Sequence, residues 1–333
     1  MVRRTGLVIG IAVVVALVTG GCAATQASDA DLAVEAYVEP GDGSAATVSD
    51  ASGRAATIGI DGVTVTDDGA GLNDLPAGVG ALARTAEDGG AAPELLVSNF
   101  SEAIGDFSPE VGTALLSDAG NRSRVAGRLA DLASEQHLRG VQIDLESLRS
   151  RDRAGLVAFA AALEDAVHER LGRDAEVSMA VMASTDEQGY RATGYDLRAL
   201  ADHVDRFVLM TYDQHGPWSG AGTIGSVSWA ERVVDAAERS GVPADRIDLG
   251  IAGYGYVWGG SGDAQVSPAR ARELAGDDAR WSERTGEWSA MLDDGRELHW
   301  SDARSYRVRV TLADRLGLHG VALWSLNTLA LPR

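Results

Sequence analysis

Short apolar runs rich in β-branched residues recur along the chain, separated by segments whose apolar residues return every three or four positions. The first pattern is typical of buried strands and the second of amphipathic helices. Eight strands are predicted, at residues 33–40, 56–65, 94–100, 140–146, 175–183, 205–213, 246–258 and 320–326. Strands that alternate with helices form parallel sheets. The pattern therefore predicts an α/β fold, a closed (β/α)₈ TIM barrel with its active site at the carboxyl ends of the strands.

The connection between the seventh and eighth predicted strands, residues 259–311, is too long for a simple turn and helix. Within it, "GEWSAMLDDGRELHW" has two alternating arms around an Asp-Gly pair, the pattern of a β-hairpin. We expect a small insertion that contains this hairpin and forms one wall of the active site.

The N-terminal segment has the pattern of a secretion signal. Residues 1–21 begin with Arg3 and Arg4, continue into an apolar run and end in small residues. The sequence "VTGGC" resembles a bacterial lipoprotein cleavage site, which implies lipidation of Cys22. Residues 22–32 then form a tether and residues 33–330 the barrel, in an extracytoplasmic protein anchored in the cell membrane by its lipid. The alternative is an uncleaved anchor helix with an unmodified cysteine.

Composition excludes several classes of partner and cofactor. The formal net charge of −20 opposes binding to the phosphate backbone of nucleic acid. Cys22 is the only cysteine, so an internal disulfide framework is excluded. The histidines lack metal-ligand spacing and no Gly-rich phosphate loop is present. We expect no metal and no cofactor.

The run "RGVQIDLESL" places two acids, Asp144 and Glu146, in a strand that should be buried. Side chains alternate faces along a strand, so both acids point into the barrel while Ile143 and Leu145 face the helices. Burial of an unpaired carboxyl group costs free energy. Two such groups on one inward face therefore favour a functional pair with shifted pKa values. The alternative is that one acid caps a helix and the other forms an internal ion pair.

Four segments, "GVQIDLE", "LMTYDQHG", "LGIAGYGYVW" and "GVALWSL", occur in this order. Together they resemble glycoside hydrolase family 18, the chitinase-like barrels, and in particular its bacterial cell-wall and spore-cortex lytic enzymes. The resemblance covers residues 33–327. It implies a retaining, substrate-assisted mechanism, in which the acetamido group of the substrate attacks the anomeric carbon.

The resemblance also implies catalytic roles. Glu146 would be the general acid and Asp144 would hold the N–H of the oxazolinium ion. Tyr212 would donate its hydroxyl to the acetamide carbonyl, and Asp213 would bind the same sugar. The alternative for the last two is a buried tyrosine followed by an aspartate that begins a turn.

The family motif D-x-x-D-x-D-x-E is matched only in its last two acids. Arg139 and Gln142 occupy the two earlier positions. An amide at Gln142 can still hydrogen-bond to Asp144, but the carboxylate that would share its proton is absent. If Arg139 reaches the barrel, its charge would lower the pKa of Asp144 and hold that group ionised.

Sugar-binding residues are expected mainly among the aromatic residues, because sugar faces stack on indole rings. By resemblance, Trp324 would form the floor under the scissile sugar. Trp229 is expected to pack in the core, and Trp281, Trp288 and Trp300 to hold the insertion together. The other predicted substrate-binding residues are Tyr254, Trp258, Trp218, Asn99, Gln142, Met210 and His215.

These observations predict a hydrolase of β-1,4-linked glycan that contains N-acetylglucosamine, such as peptidoglycan or chitin-like oligomers. Two other classes remain open. One is a catalytically silent barrel that binds sugar, and the other is a lipoprotein that only scaffolds envelope proteins.

Overall fold

The structure is a computed structural model that describes residues 32–260 and 264–333. Eight parallel strands pair in chain order, and the last closes on the first, so the predicted (β/α)₈ barrel is confirmed. The barrel strands are β1 (Ala33–Val38), β2 (Thr57–Thr64), β3 (Ala92–Ser98), β4 (Gly140–Asp144), β5 (Glu176–Met182), β6 (Arg206–Met210), β7 (Ile247–Ala252) and β8 (Gly320–Trp324).

The helices cover the outside of the barrel, except the one at Pro268–Ala275, which packs on the sheet formed by the insertion. They are α1 (Ser44–Ser52), α2 (Val79–Asp88), α3 (Pro109–Ser117), α4 (Ala119–Glu135), α5 (Arg153–Leu171), α6 (Glu187–Ala192), α7 (Leu197–Leu200), α8 (Val227–Arg239), α9 (Pro268–Ala275) and α10 (Ala303–Leu316). Several begin at a capping side chain, as at Ser108, which accepts from the Val111 amide, and Asp118, which accepts from the Asn121 amide. Among the described helices, none combines the length and apolarity needed to cross a bilayer.

Side-chain alternation divides each strand between two environments. On β4, Val141 and Ile143 have no exposed surface and belong to the main core between barrel and helices. Gln142 and Asp144 point the other way, into the barrel. The predicted faces of this strand are therefore correct.

The lower part of the barrel interior is filled by an ion-pair network. Arg206 of β6 binds three buried carboxylates, Glu94 at 3.0 Å, Asp248 at 2.7 Å and Glu35. A buried charge is tolerated only when it is paired and hydrogen-bonded, so this network forms a closed floor beneath the carboxyl ends of the strands.

The insertion forms a five-stranded sheet: Gly255–Trp258, Gln265–Val266, Arg280–Ser282, Glu287–Met291 and Glu297–Trp300. The last two strands are the predicted hairpin, which is confirmed. In its core Trp300 is fully buried and stacks on Trp288 with ring centroids 5.9 Å apart.

Most strands end before the predicted residue, and three of these differences move site residues off the barrel strands. β4 ends at Asp144 and β6 at Met210, so the next functional residues lie on loops. β7 ends at Ala252, and the residues predicted as its continuation to 258 turn away into the inserted sheet. The apolar run continues through Gly253 because β7 is fully buried and the next strand is buried at its start, and this continuity concealed the break.

Candidate active site

A cleft of about 680 Å³ opens at the carboxyl ends of the strands. Its lining includes most of the predicted site residues, which come from distant parts of the sequence. From the predicted set it is lined by Gln142, Asp144, Glu146, Met210, Tyr212, Asp213, Trp218, Tyr254 and Trp324.

Asp144 and Glu146 lie together in this cleft, and no Arg, Lys or His of the described residues lines it. Burial raises the pKa of Asp144 to about 7, and the negative charge of Asp61 contributes to the rise. Burial also raises the pKa of Glu146 well above its usual value, with further contributions from Asp144, Asp213 and Asp106. Within the described residues, Asp144 Oδ1 is buried and has no hydrogen-bond partner. This arrangement keeps protons on carboxyl groups near neutral pH.

The backbone of Glu146 is held by Asn99, the residue that directly follows β3. The Asn99 Nδ2 donates to the Glu146 carbonyl at 2.9 Å, and the Glu146 amide donates to Asn99 Oδ1 at 2.9 Å. The next residue, Ser147, has a φ of 55°, a conformation that non-glycine residues adopt at a cost. These contacts fix the direction in which the Glu146 carboxyl leaves the strand.

Asp213 is held as a hydrogen-bond acceptor. Its Oδ1 accepts from the Tyr254 hydroxyl at 2.6 Å and from the Tyr256 hydroxyl at 3.1 Å. Burial raises the pKa of Asp213, while the two hydrogen bonds lower it. Its φ of 58° aims the side chain into the cleft from the loop after β6.

Tyr212 packs beside Gly250 of β7, where a Cβ atom would lie 3.0 Å from the tyrosine ring. Burial, and the negative charges of Asp144, Glu146 and Asp213, raise the pKa of Tyr212 well above its usual value. Its hydroxyl therefore stays protonated and can donate a hydrogen bond into the cleft.

Aromatic rings form the base and one rim of the cleft. Trp324 packs on Tyr37 of β1 with ring centroids 5.2 Å apart, and the Tyr37 hydroxyl donates to Gln142 Oε1 at 2.8 Å. At the rim, Trp218 is 68% exposed and meets Tyr256 edge to face. A sugar chain could thus stack on Trp324 at the base of the cleft and again on Trp218 at the rim.

Three predicted substrate-binding residues do not line the cleft. Asn99 has no exposed surface and acts on the Glu146 backbone instead. Trp258 donates its Nε1 to the Gly216 carbonyl at 3.0 Å, which supports the loop that carries Trp218. His215 faces the opposite side of that loop, with Nδ1 2.9 Å from the Thr223 carbonyl. Asn99 and His215 lie on loops and Trp258 lies on a strand of the inserted sheet, so the parity of the barrel strands does not apply to them.

Arg139 does not reach the barrel interior. Its side chain is largely exposed and pairs with Glu87 on the outer surface, so it cannot hold Asp144 ionised. Gln142 does face the interior, but its amide is occupied. It donates to Ser178 Oγ at 2.8 Å and contacts the carboxylates of Glu35 and Glu94. Gln142 therefore belongs to the floor and does not bond to Asp144.

Several site residues were missed by the sequence reasoning. Trp229, expected in the core, also lines the cleft, and a short hairpin of Phe100–Ser101 and Asp106–Phe107 forms the rim opposite Trp218. Tyr256 lies in a segment that resembled the family, and strand parity with Glu35 could have identified Tyr37. The cleft residues not predicted are Tyr37, Leu96, Phe100, Asp106, Phe107, Ser147, Ala180, Met182, Ala183, Trp229, Tyr256 and Gln265.

Within residues 32–260 and 264–333, the His, Cys, Asp and Glu side chains form no group of three or more suited to hold a metal ion. The chemistry available in the cleft is therefore that of carboxyl and hydroxyl groups between aromatic walls. Such a set can transfer protons and orient an amide or sugar.

The sequence pattern of glycosyl hydrolases family 18 matches residues 99–328. The chain belongs to this family. It is 29% identical to the cortical fragment-lytic enzyme of Bacillus subtilis over 237 residues, 66% of this chain and 54% of the relative. It is 26% identical to the uncharacterized glycosylase YvbX of the same organism over 163 residues, 49% of this chain and 47% of the relative. The chain thus spans about half the length of these curated relatives.

Two solved structures show the same fold. The spore cortex-lytic enzyme SleL of Bacillus cereus superposes with a TM-score of 0.78 at 21% identity, covering 89% of this chain and 71% of SleL. A chitinase from Chromobacterium violaceum superposes with a TM-score of 0.78 at 25% identity, covering 90% of this chain and 95% of the chitinase. The predicted family, and its likeness to the cortex-lytic enzymes, are confirmed.

Proposed function

We propose that this family 18 protein is a glycosidase that cleaves β-1,4-linked glycan containing N-acetylglucosamine by a retaining, substrate-assisted mechanism. The observation that carries the proposal is the pair Asp144 and Glu146. Both carboxyls lie in the cleft, both have raised pKa values, and the part of the chain that the structure describes places no cationic side chain in the cleft lining. Membership of the family and the likeness to a cortical fragment-lytic enzyme support the same reaction class.

Glu146 is the general acid. An acid that works near neutral pH needs a pKa raised toward that pH, and burial together with Asp144 provides the rise. Glu146 donates its proton to the glycosidic oxygen as the bond to the anomeric carbon breaks. After the leaving sugar departs, the same carboxylate takes a proton from the attacking water.

The nucleophile belongs to the substrate. The carbonyl oxygen of its 2-acetamido group attacks the anomeric carbon and forms an oxazolinium ion, which explains why no protein nucleophile is needed opposite Glu146. Asp144 accepts a hydrogen bond from the N–H of this group, because its carboxyl lines the cleft in which the acetamido group lies. Water then attacks the anomeric carbon from the face that the leaving sugar left and opens the oxazolinium ring. Two inversions at this carbon retain the configuration.

The remaining cleft residues orient the sugar. Tyr212 donates its hydroxyl to the acetamide carbonyl, and Asp213, fixed by Tyr254 and Tyr256, accepts from a sugar hydroxyl. Trp324 stacks under the reacting sugar and Trp218 under a sugar further along the chain. Two stacking positions and an open cleft suit an oligomer or polymer better than a single sugar.

We also propose that the protein acts outside the cytoplasm as a lipoprotein attached to the cell membrane through Cys22. The support is the sequence alone, since residues 1–31 lie outside the part of the chain that the structure describes. A surface-anchored enzyme would meet peptidoglycan before any other glycan of this class, so peptidoglycan is the substrate we favour over chitin. Mass spectrometry of the mature N-terminus tests the lipidation.

The test of function is release of reducing ends by the protein lacking residues 1–22. Purified peptidoglycan, chitin oligomers and cellulose oligomers are compared, because cellulose has the same linkage without the acetamido group. We expect cleavage of one or both acetylated glycans with no cleavage of cellulose oligomers, and a β-anomeric product in NMR spectra taken early in the reaction. Binding of acetylated oligomers without any cleavage would instead show a barrel that binds sugar and is catalytically silent.

A further inference from the structure

The family motif places a carboxylate two residues before Asp144, and this chain has Gln142 there. Gln142 is committed to the floor by contacts with Ser178, Glu35 and Glu94. Asp144 is nevertheless buried, and its Oδ1 has no partner among the described residues. The geometry of the barrel identifies another carboxyl close to it, Asp61 of β2.

Asp61 faces the barrel interior. A Cβ atom on Gly59 would lie 2.4 Å from the Tyr37 ring and 3.0 Å from Glu35 Oε1, so position 59 points inward. Ile60 is fully buried in the outer core and points the other way. Strand alternation therefore turns Asp61 inward again, one step nearer the cleft than Gly59.

Asp61 lies at the height of Asp144. Through Ser98 of β3, Asp144 pairs in register with Thr64 of β2. The strands of such a barrel are staggered by about one residue each, so the inward residue of β2 level with Asp144 lies nearer the start of that strand. Two steps back along the ladder from Thr64, across the bulge between Asp61 and Val63, that residue is Asp61.

The stagger of the strands also determines which other inward side chains lie at the height of Asp144. A (β/α)₈ barrel stacks its inward side chains in layers of about four, taken from alternate strands. The layer of Asp144 on β4 includes Met210 at the end of β6 and Trp324 at the end of β8, both in the cleft lining. Asp61 supplies the member from β2, so two carboxyls face each other across one layer.

We propose that Asp61 is the second carboxyl of a pair with Asp144, the part that Gln142 cannot take, and that it controls whether Asp144 is protonated. It acts as a positioning residue, since the cleft lining does not include it. The inference rests on the proposed function for its catalytic meaning. The electrostatics agree with the pairing, because burial first and then Glu39 raise the pKa of Asp61 to about 6, and Asp61 raises that of Asp144.

No cation intervenes in this pair within the described residues. The charged groups near Asp61 are Glu39 beyond β1 and Asp144, and its register partner on β3 is the uncharged Leu96. The groups that face Asp144 are Asp61, Glu146, and the hydroxyls of Tyr212 and Tyr195. Glu35 and Glu94 lie nearer the amino ends of their strands, where both bind Arg206. The charge on Asp61 is thus the one that a substitution can remove without breaking an ion pair.

The experiment compares the pH dependence of kcat for the wild-type protein and Asp61→Asn. The acid limb of the profile reports ionisation of Asp144 into the hydrogen-bond acceptor. Loss of the negative neighbour should move this limb to lower pH by ~1 unit. The control is Asp67→Asn, which removes the same charge from an exposed position after β2 and should leave the limb in place. Asp61→Glu, which keeps the charge, should retain most of the wild-type profile.

A second readout does not depend on turnover. The carboxyl ¹³C signal of Asp144, assigned with Asp144→Asn, is titrated in the wild-type protein and in Asp61→Asn. A lower pKa of Asp144 in the variant supports the pair even if no glycan is cleaved, in which case only the proposed function fails. An unchanged Asp144 titration in a folded Asp61→Asn protein, or an equal shift in Asp67→Asn, overturns the proposal.

Discussion

The interior of the barrel holds two groups of carboxylates at different heights. In the floor, Glu35, Glu94 and Asp248 surround the guanidinium of Arg206. At the mouth of the barrel, which is the cleft at the carboxyl ends of the strands, Asp144 and Glu146 lie together. No cationic side chain of the described residues lines this cleft. Both groups contain acids with raised pKa values, and the pKa of Glu94 rises to about 8 because of burial, in spite of Arg206. A raised pKa alone therefore does not distinguish a site from a structural network.

What separates the two groups is hydrogen bonding and access. Floor carboxylates bind a cation or an amide and face no open space. At the mouth, Asp144 has a buried Oδ1 without a partner among the described residues, and its side chain lines a cleft that a substrate can enter. The comparison leads to a division of roles, in which floor acids contribute to stability and mouth acids reduce stability in exchange for reactivity.

The largest expected loss in the free energy of unfolding comes from a substitution in the ion-pair network of the floor. Arg206→Met leaves three buried carboxyls without their cation, and breaking a buried ion pair on one side costs ~3–5 kcal/mol in the free energy of unfolding. Urea unfolding at pH 7 measures this. The control is Arg239→Met, because Arg239 pairs with Asp235 on an exposed helix face where ion pairs contribute little. Equal losses in the two variants would show that the floor network is not special.

At the mouth of the barrel, removal of a carboxyl group is expected to increase the free energy of unfolding. The folded-state pKa of Asp144, about 7, lies above the value of an unfolded aspartate. The folded protein therefore binds more protons than the unfolded chain between about pH 4 and pH 7, and this site lowers stability as the pH rises through that window. Asp144→Asn should match the wild type near pH 4 and be more stable than it at pH 8.

Urea unfolding at the two pH values tests this expectation. Asp67→Asn serves as the control, because that carboxyl is exposed and no stability difference between the two pH values is expected from it. A stability gain for Asp144→Asn that is the same at pH 4 and pH 8 would contradict the electrostatic account of the mouth.

A smaller effect on stability, but a clear one on turnover, is expected for Asn99→Ala. The change removes the two hydrogen bonds that hold the Glu146 backbone and leaves their buried partners unsatisfied, at a cost of ~1–3 kcal/mol. Misplacement of the acid by ~1 Å can lower turnover ~10²-fold. Steady-state kinetics on chitin oligomers measure the change in kcat, with the exposed Asn73→Ala as the matched control. Unchanged kcat would mean that Asn99 does not position Glu146.

Much of this division could be predicted from the sequence. Period-two alternation placed Asp144 inward, and the order of strands and helices predicted the closed barrel. The boundaries were less predictable, because the apolar run of β7 continues into the inserted strand Gly255–Trp258. Asn99 could be predicted to lie near the site but not to be buried, since its bonds depend on the path of a loop.

The members of the site on β1 and β2 could not be identified from motifs. Tyr37 and Asp61 reach the centre only because the barrel closes, which brings the first strands beside Trp324 and level with Asp144. A single sequence shows the face of each strand. It does not show the stagger that decides which inward residues share a layer. Arg139 illustrates the converse, since a motif position proved to lie on the outer surface.

The most direct test of the account is kcat for Glu146→Gln on an acetylated glycan at pH 7, measured on protein whose unfolding curve matches the wild type. Exposed Glu102→Gln, on the nearby rim hairpin, controls for the same chemical change. Loss of the general acid should lower kcat ~10²- to 10⁴-fold with binding of the glycan retained. Turnover within a few-fold of the wild type in stably folded Glu146→Gln would contradict the assignment of the mouth carboxyls to catalysis.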